Sequence, residues 1–216
     1  AMPDALARDY GFEMRRVLTG FKYIGGQIDL LKEAGEEDRF LMGFEESYGY
    51  LVGTHVRDKD AVVASMLAVE MASWYAERGL DLYEAMDEVY RRYGYYLNAV
   101  VNVAFPGESG ADTMASLMSG LRARQPGEVA GYAVEGFTDY GTGVRMPVVG
   151  GPQGDPAQTL PPADVLELRL SGGNKLIIRP SGTEPKIKAY LFSQGATRGE
   201  AEAIEARLGD AARAML

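Results

Sequence analysis

Hydrophobic and polar positions along this chain follow a helical period first and a strand period later. Val63, Leu67, Met71 and Trp74 recur about every 3.6 residues, the spacing of one helix face. Asp60 ahead of them is a suitable N-cap and Gly79 behind them a suitable stop, so the spacing predicts a long helix over 60–78. A second helix follows through Arg92, with Asp81 and Glu84 at capping-box spacing and Leu82, Met86 and Val89 on its buried side. Upstream, 3–10 reads as a short helix stopped by Gly11, 14–18 as a strand-like run, and 25–33 as a helix ended by Gly35. A short strand is expected at 39–42, then a turn-rich stretch over 43–57.

After Gly94 the period shortens to two. Leu97, Ala99, Val101, Val103 and Phe105 alternate as in a half-buried strand. Met114, Leu117, Met118 and Leu121 mark a helix face. Residues 129–137 read as a strand and 141–163 as a Gly- and Pro-rich loop. Strands at 165–170 and 175–178 flank the turn Ser171-Gly172-Gly173-Asn174, and a further strand covers 186–192. Thr197 and Glu200 have capping-box spacing for a last helix, striped by Ala201, Ile204, Leu208, Ala211 and Met215. The pattern divides into two units, 1–94 and 95–216. The first is an α/β unit with too few strands to complete a sheet. The second is α+β, an antiparallel sheet with helices on one face.

Composition narrows the chemistry. With 46% hydrophobic and 25% charged residues, the 216-residue chain can build a real core. A formal charge of −9 argues against general nucleic-acid binding, so any bound anion must be held by local groups against the overall field. The absence of cysteine excludes disulfides, thiolate metal sites and cysteine nucleophiles, and is compatible with a cytoplasmic location. No apolar run approaches the ~20 residues that span a bilayer, so no membrane partner is expected.

Two segments carry candidate chemistry. Arg179-Pro180-Ser181-Gly182-Thr183-Glu184-Pro185 joins two strands and offers a guanidinium, two hydroxyls and a glycine-loosened backbone, a donor set that suits a phosphate. An ordinary tight turn has the same composition. In Gly43-Phe44-Glu45-Glu46-Ser47-Tyr48-Gly49-Tyr50, Glu45 and Ser47 lie two apart and would point the same way in an extended loop, able to hold the hydroxyls of a sugar ring. Equally, Glu45 and Glu46 read as solvated loop charges. Lys22, His55, Arg57 and Lys59 could contact an anion or assist a proton transfer; Lys22 and Lys59 also read as ordinary surface lysines, and His55 as a packed or surface histidine. Asp58 and Asp60 match no strong metal-ligand spacing.

Together, Thr19-Gly20-Phe21-Lys22, the stretch GFEESYGYLVGTHVRDKD from Gly43, and RPSGTEPKIK from Arg179 resemble the α-D-phosphohexomutase superfamily, in its phosphoglucomutase/phosphomannomutase branch. The resemblance runs over essentially the whole chain and implies the family's third domain, opened partway through, followed by its fourth. It implies an enzyme that moves a phosphoryl group between the 1- and 6-positions of a hexose through a phosphoserine and a bisphosphorylated sugar, glucose 1,6-bisphosphate for a glucose enzyme. Glu45 and Ser47 then correspond to sugar ligands, Lys22, His55 and Lys59 to cleft-lining residues, and Arg179, Ser181, Gly182 and Thr183 to a phosphate cradle with Lys188 beside it. Neither the Ser-His-Asn-Pro phosphoserine loop nor the Asp-rich Mg²⁺ loop of the family stands in this sequence. The resemblance therefore implies a hexose-phosphate-holding portion, inactive alone, with the truncated sheet open to self-association. A phosphomannomutase or phosphopentose mutase would look alike at this level. A stand-alone, non-catalytic sugar-phosphate-binding protein is the alternative of a different class.

Overall fold

A computed structural model describes residues 2–46, 48–146, 148–150, 158–182 and 184–216. In chain order the elements are α1 (Met2–Tyr10), α2 (Phe21–Glu33), β1 (Met42–Phe44), β2 (Tyr50–Val52), α3 (Ala61–Ala76), α4 (Leu82–Tyr93), β3 (Tyr95–Ala104), α5 (Gly110–Ala123), β4 (Glu128–Val129), β5 (Tyr132–Asp139), β6 (Val144–Met146), β7 (Gln158–Leu160), β8 (Leu166–Leu170), β9 (Lys175–Pro180), β10 (Lys186–Gly195) and α6 (Arg198–Met215). They gather into two compact units, Arg16–Glu88 and Ala1–Arg15 with Val89–Leu216. The division expected after residue 94 thus falls inside α4. Residues ahead of Arg16 group with the later part because Asp9 accepts hydrogen bonds from Arg92 and Tyr93 and Met14 bridges to Val149.

In the 16–88 unit, β1 and β2 form a two-stranded antiparallel sheet over a small core of Phe21, Ile24, Ile28 and Leu51. Short stretches of the sequence mislead here. Residues 14–18 form a single bridge at Met14 rather than a strand, and 39–42 is a 3-10 turn (Glu37–Arg39) leading into β1. The turn-rich segment 43–57 contains β2. Helix α2 starts at Phe21, four residues before the expected point. Asp60 does cap α3, its side chain accepting from the N–H groups of Val62 and Val63. Yet α3 has no buried residue, and Met71 and Trp74 stand about half exposed. The apolar stripe fixed the helix but not what it faces; Trp74 is covered by the Arg78 guanidinium, 3.5 Å above its ring. In α4 the Asp81–Glu84 capping box is reciprocal, at 2.9 and 2.8 Å, but only Ala85 is buried, while Leu82 and Met86 are exposed.

The larger unit is built on a six-stranded antiparallel sheet in the order β3-β10-β9-β8-β5-β4. Alternation decides its faces. Leu176, Ile178, Ile187, Ala189 and Leu191 point inward with Val101, Leu166 and Leu168, and meet Met118 of α5 and Ile204, Leu208 and Ala212 of α6. In α6 the fully buried positions run through Ala212, while Ala211 and Met215 only flank the core. Strand 129–137 is two strands, because Ala130 and Gly131 take left-handed angles and turn the chain back between β4 and β5. The loop expected over 141–163 holds the β6–β7 pair.

A bulge-free register and complete burial make Leu176 a sensitive probe of this sheet. Leu176→Ala is expected to lower stability by about 2–5 kcal/mol. Urea unfolding checks this; a midpoint unchanged from the parent chain would contradict the packing described.

Candidate functional site

Each unit carries one polar constellation. In the 16–88 unit, the Glu45 N–H donates to the Gly49 carbonyl at 3.0 Å and closes the turn between β1 and β2. The Glu45 side chain is only 14% exposed, and its carboxylate lies 3.8 Å from Lys59 Nζ. A burial this deep on a short turn separates Glu45 from an ordinary solvated charge. Gly49 is what lets the pair form: a Cβ there would stand 2.5 Å from Lys59 Cδ and 2.8 Å from Glu45 Oε1. Tyr48 takes a left-handed angle (φ 62°) and is 88% exposed, beside a shallow groove of about 480 Å³ that Tyr50, Lys59 and Asp60 also line. Left-handed backbone at a non-glycine residue is a strained feature that concentrates at ligand sites.

Lys59 is the cation at the centre. Its Nζ donates to Asp58 Oδ1 at 2.8 Å and lies 5.3 Å from the centre of the Phe21 ring. The hydrogen bond to Asp58 raises the Lys59 pKa above its ordinary value, with Asp58 and Glu45 charges adding to it against partial burial. The same bond holds Asp58 below the usual carboxylate range. Lys22 is exposed at the start of α2, its ammonium 4.9 Å from the Tyr23 ring centre. Arg57 is committed to the fold: it donates to Asp29 at 2.6 Å and to the Thr54 carbonyl at 2.5 Å, tying the 53–59 loop to α2. It is thus not the free anion contact that its place in the sequence suggests. His55 Nε2 lies 2.8 Å from Asp60 Oδ2. Ser47 lies outside the described residues.

In the larger unit, Arg179 is the penultimate residue of β9, and its Nε donates to Tyr190 Oη at 3.3 Å with the guanidinium 5.7 Å from that ring's centre. Lys188 is its direct partner on β10, so the two cations share the sheet face away from the helices. The connecting loop is held by Ser181 N–H to the Lys186 carbonyl at 2.8 Å and Lys186 N–H to the Glu184 carbonyl at 2.7 Å. Lys186 also bonds Glu184, whose carboxyl titrates below its ordinary range for that reason. Gly182 is not in the left-handed region, and nothing stands within 4 Å of where its Cβ would be. The expected backbone contortion is absent; the glycine instead leaves room for close approach. Thr183 lies outside the described residues.

Sequence reasoning missed two partners. Tyr190 sits two residues after Lys188 on the same sheet face, a spacing that could have flagged it as the residue holding Arg179. Asp60 read as a helix cap alone, and its five-residue separation from His55 gave no periodic signal. Among the described residues no three His, Asp or Glu side chains gather so as to hold a metal ion. The Mg²⁺ implied by the resemblance therefore has no fitting donor set in them. No helix among the described residues is long and apolar enough to cross a membrane.

Comparison with known proteins adds to this geometry. Residues 1–93 match the family description "Phosphoglucomutase/phosphomannomutase, alpha/beta/alpha domain III". A phosphoglucomutase of Staphylococcus haemolyticus is 36% identical over 86% of this chain and 33% of its own length. A phosphoglucomutase of Staphylococcus epidermidis is 33% identical over 87% of the chain and 33% of its length. A probable phosphomannomutase of Haemophilus influenzae is 33% identical over 98% of the chain and 38% of its length. The chain thus spans about a third of the length of these curated relatives. The fold is similar to that of pp63/parafusin, a phosphoglucomutase from Paramecium in an open form, with a TM-score of 0.56 and 17% identity over 90% of this chain and 33% of that one.

Asp60 titrates below the ordinary carboxylate value of 3.8, first because of its hydrogen bond with His55 and then because of the N–H groups of Val63 and Val62. A depressed folded pKa gives stability that is present above the unfolded value and lost as pH falls through the folded one. Asn caps without titrating. The stability advantage of the parent over Asp60→Asn is therefore expected to narrow below pH 3.8. Urea unfolding followed by circular dichroism across the acid range checks this; a constant difference would contradict it.

Proposed function

From the chain's membership of the phosphoglucomutase/phosphomannomutase superfamily, in its C-terminal region, we propose that it is the substrate-holding part of a phosphohexomutase of the phosphoglucomutase type. The reaction interconverts hexose 1-phosphate and hexose 6-phosphate through a phosphoserine and a bisphosphorylated sugar. The observation that carries this reading is the presence of both constellations in one chain whose relatives are named for that activity.

The roles follow from the chemistry of each group. The largely buried Glu45 carboxylate accepts hydrogen bonds from sugar hydroxyls, with Ser47 as the second ligand. Lys59, paired with Asp58 and Glu45, supplies positive charge next to those hydroxyls, and Lys22 and His55 belong to the same cleft. Arg179, oriented by Tyr190 and facing the same way as Lys188, grips the phosphate that does not react, with Ser181, Gly182 and Thr183 around it. The same grip serves both ends of the sugar, because the bisphosphorylated intermediate turns over between the two transfers. A bound Mg²⁺ would stabilise charge on the reacting phosphoryl group; no step assigned to these residues runs through it. A cytoplasmic location and glucose 1,6-bisphosphate as primer complete the reading. The Haemophilus relative supports a second one, in which the hexose is mannose.

Two outcomes are expected. The 216-residue chain, supplied with glucose 1-phosphate and glucose 1,6-bisphosphate, gives no glucose 6-phosphate in a dehydrogenase-coupled assay, and turnover would refute the assignment of roles. Arg179→Ala weakens glucose 1-phosphate binding by about 10- to 100-fold, the loss expected of a charge-assisted contact, as read by calorimetry. An unchanged affinity would remove Arg179 from the phosphate site.

A further inference from the structure

We propose that Asp60 is a positioning residue for His55: it caps α3 with one carboxylate oxygen and holds Nε2 of His55 with the other, leaving Nδ1 as the ring nitrogen that meets a ligand. The division of labour is visible in the distances. Oδ1 accepts from Val62 N–H at 2.9 Å and Val63 N–H at 3.1 Å, while Oδ2 lies 2.8 Å from Nε2. An ionised carboxylate has no hydrogen to give, so the ring must supply it and Nε2 carries the proton. Asp60 cannot swing away without uncapping α3. Its own N–H is also fixed, donating to the Tyr50 carbonyl at 2.9 Å.

The other side of the ring is kept open. His55 is 50% exposed. Gly53, at φ 81°, puts no side chain toward Nδ1, where a Cβ would come to 3.4 Å of it. Arg57 pins the loop on α2, so the imidazole stands on a fixed base. Neutral His55 held in this way presents an unprotonated Nδ1 as acceptor for a ligand hydroxyl. If the proton follows, it passes from the hydroxyl oxygen to Nδ1. The resulting imidazolium then has its Nε2–H already directed at a carboxylate, the arrangement that stabilises a transient positive ring. The hydroxyl-bearing ligand rests on the phosphohexomutase reading; the Asp60–His55 bond does not.

The only histidine in the chain makes the test unambiguous. Proton–nitrogen correlation spectra of the ¹⁵N-labelled chain, taken about two units above the ordinary histidine value of ~6.5, are expected to show one slowly exchanging ring N–H, on Nε2. Finding the proton on Nδ1, or no protected ring N–H, overturns the proposal before any substitution is made. Asp60→Ser keeps a strong N-cap but is too short to reach the ring. It is expected to lose the protected ring signal while the helicity of α3 is retained. Persistence of that signal would reduce Asp60 to a cap. Adding glucose 1-phosphate is expected to shift Nδ1. If amides of the 179–182 loop report binding while Nδ1 does not move, the ligand-facing role of His55 is overturned and the sugar-phosphate reading stands. If nothing binds, the sugar-phosphate reading fails and with it that role, while the ring N–H still decides the role of Asp60.

Discussion

The register between β9 and β10 is the constraint on which the larger unit depends. Pairing Ile178 with Ala189 and Leu176 with Leu191 turns those residues into the core. The same register sets Arg179 opposite Lys188 and Ile177 opposite Tyr190 on the other face. A slip of one residue would exchange the two sets, exposing several aliphatic side chains at about 1.5–3 kcal/mol each and burying cations with no partners. Core packing therefore specifies where the guanidinium stands. Tyr190 completes the placement by holding Arg179 at Nε.

In the 16–88 unit the comparable part is played by the short run from Arg57 to Asp60. Each member is tied to something different: Arg57 to α2, Lys59 to Asp58 and the Glu45 carboxylate, Asp60 to the start of α3 and to His55. One rigid corner thus sets a carboxylate, an ammonium and an imidazole side by side. The chain carries a formal charge of −9, so these local cations matter more than the overall field. In each unit the lysine or arginine side chains of the constellation are neighboured by acids or aromatic rings.

Much of this was legible in the sequence where local chemistry decides local structure. Asp60, the Asp81–Glu84 pair and Thr197 act as caps as their spacing suggests, because capping needs only residues within one turn. The alternation over 97–105 and 186–192 gave the strands of the large sheet, since inward and outward positions differ by one residue. What the sequence hid depends on long-range packing. The stripe Val63, Leu67, Met71 and Trp74 marks a helix whose apolar side is not buried in this chain. Residues 39–42 and 14–18 look strand-like in isolation but lack full strand partners among the described residues. The grouping of α1 with the later unit rests on Asp9 reaching residues more than eighty positions away. The site motifs themselves were visible, whereas the residues that orient them, Tyr190 and Asp60 toward His55, required the fold.

The proposed function gives Glu45 the sugar hydroxyls and Arg179 the phosphate of a hexose phosphate. Amide chemical-shift mapping of the intact chain, titrated with glucose 1-phosphate, tests it most directly. Amides around Glu45, Gly49 and Lys59 and amides around Arg179, Gly182 and Lys188 are each expected to shift as the ligand is added. Shifts confined to one cluster, or no shift at all, would contradict it.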